Sequence, residues 1–435
     1  MSKILTFLLI AFLGFSYSNA TVVDVGKVNQ FPLDVWYNVI DGNQNGRSAT
    51  EWDLAFEMEP MRAGIFINDT RGDILYYTGN DWISKLDTAQ LASWTKCYNT
   101  DSSWHTGAFN RFHDGYDPKF FLDFGWGIYN TNSHKVIGYP NGSPVYVLKY
   151  ASGKWSKISI IEKDSNFLYK FIIANLDGTD SNYIEIPRNS AKNFSYFIND
   201  VSKQDNITLR EPDLNQWDLL FSRYTSKVPN PFGPDSLFYT VLGVKQSPFV
   251  HSLMLDSVDT GKVNVVPFTQ LSAKAGTIGW DWKVLDQSNT FYNIVRNRVY
   301  LLQRMDPATR KPVGEMYKLI FDLYDINSGE ITFNTSIIKG TGVETILNGQ
   351  TKLLLINNTI ENNSNLQIAI SSTKEQSGIV TVFDLLGTPI QTQKVNISEN
   401  LSSITIQNLN CSSGMYFVKL DLNNGNSLTE KFIVK

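Results

Sequence analysis

Short stretches of alternating apolar and polar residues run along most of the chain, bounded by Gly, Asn, Asp or Pro residues. Val35–Val39 is one such stretch, and Trp52–Phe56 is another, in which Trp, Leu and Phe take alternate positions and predict one shared face of a β-strand. Asp41–Gly46, which lies between them, has the composition of a loop. The pattern predicts an all-β-dominated protein.

The stretch Trp52–Phe56 returns as Trp217–Phe221, and an aromatic stretch precedes both copies. Three further landmarks recur in the same order: Phe124–Gly127 as Ile278–Asp281, Tyr146–Leu148 as Tyr300–Leu302, and Lys157–Ile158 as Lys318–Leu319. The spacing between copies stays between 154 and 165 residues, whereas the units of solenoid proteins have about 20–50 residues. A tandem duplication of a whole domain is therefore predicted.

The repeats are predicted to be two antiparallel β domains with long loops, at residues 22–186 and 187–340, joined near Pro187. The first contains a long irregular region at residues 65–122, with one short helix predicted at Asp87–Lys96, and the second contains a comparable region at residues 225–278. Long loops on a β scaffold are where binding usually occurs.

After residue 340 the character of the chain changes, because tryptophan is absent and Asn, Ser, Ile and Leu dominate. Residues 341–365 read as a linker. Residues 366–435 contain several short strands separated by turns, which predict a small C-terminal β-sandwich. The predicted strands are Leu366–Ile370, Gly378–Phe383, Ser403–Ile406, Gly414–Leu420 and Ser427–Val434.

Composition and charge narrow the class of protein. The chain has 435 residues, of which 42% are hydrophobic and 18% charged, with a net charge of -4. Because Lys and Arg are not clustered, nucleic acid is excluded as an expected partner. Residues 1–20 have the pattern of a secretory signal peptide, with mature Thr21 as the expected first residue, and no later stretch is long and apolar enough to predict a transmembrane segment.

The chain has two cysteines, Cys97 and Cys411. Neither lies at the signal-peptide junction, where a lipid anchor would require one. A disulfide between them is conceivable, but their assignment to different domains favours two separate thiols.

The C-terminal segment resembles the sorting domain of the type IX secretion system of Bacteroidetes. The resemblance rests on Ile379–Gly387, Ser413–Lys419 and the terminal Lys431–Lys435. The Tyr-Pro-Asn-Pro sequence common at the start of such domains is replaced here by an Asn-rich stretch. The resemblance implies that the type IX secretion machinery is a partner and that the protein is secreted or retained on the outer cell surface.

The two repeats resemble the HmuY family of haem-binding proteins. The matching framework strands include Trp52–Phe56 after an aromatic strand, Gly279–Lys283, and Val299–Leu302 followed by Met316–Phe321. The first-copy counterpart is Val145–Lys149 with Gly153–Ile158. The family implies an antiparallel β fold that holds haem between loops through two axial His or Met side chains, with haem or a host haemoprotein as the partner. Members often have a lipobox and a single domain, and this chain has neither.

Haem requires an apolar slot, neutral His or Met ligands and a cation for the propionates. His105 and His113 lie among aromatic residues in the long loop region of the first repeat, and His134 lies in a predicted hairpin turn. The second repeat offers His251 and Met254, which would point to opposite faces of a strand but to the same side of a helix. None of these five haem-ligand candidates aligns with a family ligand motif.

The tryptophans of the repeated landmarks are predicted to be structural. Trp52 and Trp217 are expected to anchor the core, with Trp126 and Trp280 as further framework residues. The aspartates that follow the first two are expected to hydrogen-bond a neighbouring loop or a backbone N–H. Glu51 and Glu57 flank the first copy, but Gln216 and Ser222 replace them in the second, so no acid pair is duplicated.

These observations favour a secreted or surface binding protein without enzymatic activity, with haem as the expected cofactor. The sequence lacks the motifs of serine hydrolases, zinc proteases and phosphate-binding loops. An alternative is a surface adhesive protein that has lost haem and binds glycan or protein. A third, a carbohydrate-active enzyme, is left open because glycoside hydrolysis needs only two carboxylates.

Overall fold

The computed structural model describes residues 20–27, 32–110, 122–139, 142–200, 206–230, 233–261, 263, 270–286, 291–338, 351–372 and 374–435. His113 and nearly all of the predicted signal peptide lie outside these residues. Strands make up 52% of the chain and helices 4%, and the described strands pair antiparallel except for β25 with β31, which confirms the predicted fold class.

The strands are numbered in chain order. Those before the predicted join are β1 (Thr21–Asp24), β2 (Leu33–Tyr37), β3 (Gln44–Ser48), β4 (Leu54–Glu57), β5 (Ile65–Ile67), β6 (Ile74–Tyr77), β7 (Thr95–Cys97), β8 (Ile128–Asn130), β9 (Lys135–Ile137), β10 (Val145–Lys149), β11 (Trp155–Lys163), β12 (Tyr169–Ala174) and β13 (Asn182–Ile186). Those of the second repeat are β14 (Phe194–Phe197), β15 (Ile207–Thr208), β16 (Leu219–Pro229), β17 (Ser236–Gln246), β18 (Val250–Leu255), β19 (Lys283–Leu285), β20 (Tyr292–Ile294), β21 (Val299–Met305), β22 (Pro312–Tyr324) and β23 (Glu330–Ile337). The C-terminal strands are β24 (Lys352–Leu355), β25 (Thr359–Ile360), β26 (Ser364–Ser372), β27 (Gln376–Phe383), β28 (Pro389–Ile397), β29 (Asn400–Leu409), β30 (Gly414–Leu422) and β31 (Ser427–Val434).

Two pairs of sheets build the repeats. In the first pair, an eight-stranded sheet runs in the order β13-β12-β11-β10-β6-β7, with β8 and β9 joined to β11, and a four-stranded sheet runs β15-β14-β4-β5. In the second pair, a five-stranded sheet runs β1-β23-β22-β21-β18 and a four-stranded sheet runs β17-β16-β2-β3. Each pair encloses its own apolar core. We call strands β4–β15 the first unit, and β1–β3 with β16–β23 the second unit.

The two sequence repeats exchange strands. The aromatic strand β2 pairs with β16 of the other copy, with Trp36 opposite Leu220, and the aromatic strand β14 pairs with β4, with Tyr196 opposite Ala55. The first strand β1 pairs with the last strand of the second repeat, β23. Each unit therefore draws on residues from both sides of the predicted join at residues 186 and 187.

An aspartate carboxylate locks each exchanged strand in place. Asp218, which is 1% exposed, accepts a hydrogen bond from the backbone N–H of Val39, just past the end of β2, at 2.7 Å and also binds the Arg304 guanidinium. Asp53 accepts the backbone N–H of Asn199, just past the end of β14, and binds Arg71. Both aspartates were predicted to hydrogen-bond a backbone N–H, and both accept one. In each case the N–H belongs to the other repeat.

The tryptophans that precede these aspartates do not share a face with the apolar residues that follow them in the strand. Leu54 and Phe56 belong to the core of the first unit, whereas Trp52 packs with Trp217 in a separate cluster between the units. The predicted shared face of Trp52, Leu54 and Phe56 is therefore wrong. The reason is that the regular strand begins only at Leu54, so the alternation of faces does not extend back to the tryptophan.

A buried arginine fills the centre of this cluster between the units. The Arg210 guanidinium lies over the rings of Trp36, Trp52 and Tyr196 at 5.2–5.8 Å, and its NH1 donates to Asp34 on β2 at 2.8 Å. A cation over several aromatic faces is stabilised electrostatically. The cluster thus joins the four-stranded sheets of the two units.

The C-terminal strands form the predicted sandwich. A three-stranded sheet runs β24-β26-β29, a five-stranded sheet runs β25-β31-β30-β27-β28, and the two share one apolar core. Strands β24 and β25 lie inside the segment predicted as a linker, and Leu353 and Ile360 from them are buried in that core. The sandwich therefore begins before residue 366, because these short strands complete the edges of its sheets.

Three smaller predictions can be compared with the structure. The helix expected at Asp87–Lys96 is a 3₁₀ helix at Thr88–Ser93, capped by the Asp87 side chain, and it ends where Trp94 becomes extended before β7. Cys97 and Cys411 are both buried and form no disulfide, as predicted. Among the described residues, no helix is long and apolar enough to cross a membrane.

The lock at Asp218 predicts a large effect of removing Arg304. In Arg304→Met the buried carboxylate keeps its charge without its guanidinium partner, and breaking a buried pair in this way costs on the order of 3–5 kcal/mol. Urea unfolding followed by tryptophan fluorescence is the measurement, since all ten Trp residues lie in the repeats. Arg296→Met is the control, because Arg296 lies 4.0 Å from Asp322 and is 73% exposed. Equal losses in the two variants would contradict the lock.

Candidate functional site

A corner where the two units meet gathers several charged and titratable side chains. Strand β4 ends at Glu57, the turn after it supplies Glu59, and the loop before the 3₁₀ helix Ala108–Asn110 supplies His105. Ligand atoms of these three residues all lie within 4.8 Å of one another. We call Glu57, Glu59 and His105 the corner cluster.

The Glu57 carboxylate is fully buried and makes two defined interactions. Its Oε2 accepts the backbone N–H of Gly64 at 2.9 Å, and its Oε1 accepts a hydrogen bond from His105 Nδ1. The backbone carbonyl of Glu57 accepts the Tyr169 hydroxyl at 2.9 Å. The carboxylate is therefore held rigidly beneath the imidazole.

Gly64 is required at its position by close approach. A Cβ atom there would lie 2.8 Å from Glu57 Oε2 and 2.9 Å from the Trp104 carbonyl oxygen. Real Cβ atoms do not approach other heavy atoms so closely. The absence of a side chain at residue 64 lets the loop close over the carboxylate.

The loop that carries His105 is fixed from both ends. The Asn99 side chain hydrogen-bonds the backbone of Ile67 and the N–H of Ala108, and the Trp104 indole N–H donates to the carbonyl of Gln246 in the second unit at 2.9 Å. The His105 imidazole is consequently presented at the surface, with 36% of its side chain exposed.

The hydrogen bond to Glu57 determines which nitrogen of His105 can bind a ligand. A carboxylate only accepts hydrogen bonds, so Nδ1 carries a proton, and in the neutral ring the lone pair lies on Nε2. No residue in the described ranges hydrogen-bonds Nε2. Metal-ligating histidines almost always have such a carboxylate on the other ring nitrogen.

A buried lysine supports the loop of the corner cluster from below. Lys163, only 1% exposed, donates through Nζ to the backbone carbonyls of Glu59, at 2.7 Å, and of Arg62. Burial lowers the pKa of Lys163 to about 8, and the nearby charge of Glu57 opposes this shift. The ammonium group thereby ties the turn to β11.

The second unit contributes the other side of the corner. Glu59 pairs with Arg310 at 3.2 Å, and the Arg310 guanidinium lies 4.8 Å from the centre of the Phe249 ring. His251 on β18 is partly buried, and burial, followed by the charge of Arg310, lowers its pKa. Arg310 thus pairs with Glu59 of the corner cluster and acts electrostatically on His251 of its own unit.

The remaining ligand candidates lie elsewhere. His134 occupies an exposed turn between β8 and β9 with φ 55°, and its Nδ1 is 2.9 Å from the Tyr129 hydroxyl. Met254 lies on the same strand as His251, three residues further on, and packs against the core of the second unit. Because the segment is a strand, the two side chains point to opposite faces and cannot bind one iron together. His113 lies outside the described residues.

The four landmark tryptophans lie in the framework. Trp217 and Trp126 are 1% and 0% exposed, and the Trp126 indole donates to the carbonyl of Ala63 at 2.9 Å. Trp52 and Trp280 are partly buried, and the Trp280 indole donates to the Ser226 hydroxyl at 3.1 Å.

Sequence reasoning identified His105 and His251 but missed Glu57, Glu59 and Arg310 as their neighbours. In the sequence, Glu57 was noted only because Ser222 replaces it in the second copy. The available signal was Gly64, since a glycine seven residues after a strand-end carboxylate permits a tight return of the loop.

Comparison with known families identifies the C-terminal sandwich. Residues 361–435 match the family described as secretion system C-terminal sorting domain. The sandwich is a type IX sorting domain. The sorting domain directs the chain through type IX secretion to the cell surface or the exterior, which confirms the predicted localisation. The resemblance of the repeats to the HmuY family stays a prediction.

Comparison with curated proteins finds no match. Among solved structures, a CARDB domain from Pyrococcus furiosus is 15% identical over 20% of this chain and 90% of its own, with a TM-score of 0.16. A β-glucosidase from Listeria innocua is 11% identical, covering 20% of this chain and 16% of its own, at 0.16. Dimeric latent PorU from Porphyromonas gingivalis is 9% identical, covering 69% of this chain and 31% of its own, at 0.19. Such low TM-scores support no conclusion about the repeats.

Gly64→Ala is expected to destabilise the first unit. The new methyl group must displace the Glu57 carboxylate or the Trp104 carbonyl, and overpacking of this kind costs about 1–3 kcal/mol. The urea midpoint from tryptophan fluorescence measures the effect. Gly46→Ala is the matched control, because its nearest neighbour would be 3.8 Å away. An unchanged midpoint in Gly64→Ala would mean that the loop is not held as described.

The lowered pKa of Lys163 predicts a defined pH dependence. Between about pH 8 and the ordinary lysine pKa of 10.5, the unfolded chain binds more protons at this residue than the folded chain does. The contribution of Lys163 to stability therefore rises with pH in this window. The difference in unfolding free energy between the native chain and Lys163→Met should rise between pH 8 and 10, whereas the exposed control Lys154→Met should show no such rise. A flat difference for Lys163→Met would contradict the shift.

Proposed function

We propose that this protein is a type IX-secreted, non-enzymatic binding protein for haem or a related porphyrin, with His105 as an axial ligand. The observation that carries the proposal is the hydrogen bond from His105 Nδ1 to the buried Glu57 carboxylate, which leaves Nε2 of a part-exposed imidazole as the ligating atom. Haem iron is held in proteins by imidazole nitrogen of this kind.

The neighbourhood of the corner cluster supplies a cation and an apolar ring. Arg310, 53% exposed, offers a cation for a propionate, and Phe249 beneath its guanidinium offers an apolar surface. His251 is a second imidazole near the same arginine, and its lowered pKa favours the neutral, ligating form. When bound, the iron would supply the Lewis acidity, while Glu57 would fix the orientation of the His105 ring.

Binding without catalysis is the part of the proposal that follows from how Glu57 is used. The carboxylate already accepts a backbone N–H and the imidazole, and Glu59 is paired with Arg310. Both acids of the corner are thus engaged in holding the loop, which favours a rigid binding site over acid–base chemistry.

Haem titration of the full mature chain tests the proposal. The native chain is expected to give a shifted Soret band at micromolar haem. His105→Ala should abolish or greatly weaken this shift, and Glu57→Gln should weaken affinity about 10- to 100-fold, the usual effect of removing a supporting hydrogen-bond partner from a ligating histidine. His134→Ala is the matched control and should bind like the native chain. Absence of any Soret shift would contradict haem binding. Full binding by His105→Ala would contradict the assignment of His105 as an axial ligand.

A second candidate function is adhesion to glycan or protein, favoured by exposed aromatic residues on the β16–β17 hairpin. Phe238 is 41% and Tyr239 is 62% exposed, and Phe238 stacks on Tyr98 of the first unit at 3.7 Å between ring centres. Aromatic rings of this kind supply contact area at low entropic cost. Binding to a glycan array that Tyr239→Ala reduces, in a chain without a Soret shift, would favour this alternative.

A further inference from the structure

The outer face of the five-stranded sheet in the sorting domain divides into an apolar end and a polar end. Along β27, β30 and β31 alternate residues point into the sandwich core, and the residues between them point outward. In β30, for example, Val418 and Leu420 are buried, while Phe417 and Lys419, which alternate with them, are partly exposed. The outward residues can therefore be followed across the sheet by strand register.

The apolar end is formed by outward residues near the C-terminal end of the chain. Met415 lies opposite Ile433, and Phe417 lies opposite Phe383. Met415 is 39% and Ile433 is 47% exposed. The apolar end also includes Ile390 at the start of β28, which is 38% exposed.

The turn between β27 and β28 extends this surface with two leucines. Leu385 is 64% and Leu386 is 91% exposed. The Asp384 carboxylate accepts the N–H groups of Leu386 and Thr388 at 2.9 and 2.8 Å, and Gly387 takes φ 80°. The turn is therefore fixed by Asp384 and Gly387, and neither leucine is needed for its geometry.

The other hairpin turn of the same sheet makes the contrast clear. It joins β30 to β31 through Asn423, Asn424, Gly425 and Asn426, which are all polar or small. A leucine that stays exposed in the folded chain adds no stability through burial. Contiguous exposed apolar residues usually mark an interaction site. The apolar turn is thus an addition to the fold and not a requirement of it.

Apart from Ile379, the described outward residues on the rest of β27, β30 and β31 are polar. Lys419 pairs with Asp421 at 2.8 Å, and Thr381 lies opposite Lys419. The exposed Lys431 lies directly opposite Phe417, at the border of the apolar end. A partner would therefore meet an apolar centre with a cationic residue at its border.

We propose that the apolar end, comprising Leu385, Leu386, Ile390, Met415, Phe417 and Ile433, is the surface through which the sorting domain docks on a protein component of the secretion machinery. The complementary surface of that component is apolar and carries a carboxylate opposite Lys431. The module has a sorting role, and this surface is on the module itself, uncovered by any described part of the chain. The component would therefore bind the sandwich and make no contact with the repeats.

Export of the full precursor from a bacterium with a type IX system tests the proposal. A Leu385→Ser/Leu386→Ser double variant is expected to lower the amount of extracellular protein at least about tenfold, equivalent to a loss of about 1.4 kcal/mol in docking, and to accumulate inside the outer membrane. Lys431→Glu should give a smaller loss. Ile379→Ser is the matched control, because Ile379 is 38% exposed on the polar half of the same face, opposite Asp421.

The outcomes separate docking from folding and from self-association. Thermal unfolding of the purified variants should be unchanged, because neither leucine packs against the core. Met415→Ser, made on a strand instead of a turn, should reproduce the export defect. Normal export of the double variant, or an equal loss in Ile379→Ser, would overturn the proposal. The proposal would also be overturned if the native chain were a dimer in solution and the double variant a monomer, because the surface would then bind a second copy of the chain. Haem titration is unaffected by any of these variants, so failure here leaves the proposed function untouched.

Discussion

The exchange of aromatic strands between the two repeats is the constraint on which the rest of the structure depends. Neither Trp-Asp strand can complete its sheet with the aromatic strand that precedes it in sequence, because that strand lies in the other unit. The aspartate carboxylates hold the ends of the exchanged strands through backbone N–H groups and arginines. Burial of these charges is stable only while both partners are present. Loss of either lock is therefore expected to destabilise both units, including the corner where they meet.

Much of the local structure follows from periodicity alone. Ser427–Val434 is a strand with the bounds that alternation predicted, and the small C-terminal sandwich follows from closely spaced short strands. The exchange of strands does not follow, because both copies carry the same aromatic and Trp-Asp patterns. Pairing of β4 with β2 or with β14 satisfies the same hydrophobic pattern, so alternation alone does not choose between them.

The corner cluster shows the same division between local and distant information. His105 could be identified from its aromatic loop, but its partner Glu57 lies 48 positions earlier in the sequence. The link between them exists only because the loop returns at Gly64, where a side chain would clash. Met254 illustrates the converse, since its spacing from His251 left two geometries open, and only the observed strand puts them on opposite faces.

The pairing of Thr21 with Phe333 has a consequence for how the chain acquires its structure during export. The first strand to emerge must wait for the last strand of the repeats before it can pair, and contacts between such distant residues form slowly. Without β1, strand β23 is an edge strand of its sheet, and exposed edges are prone to join other chains. The second unit of this chain therefore cannot be completed until nearly the whole of both repeats is present, whereas repeats that closed independently could fold one at a time.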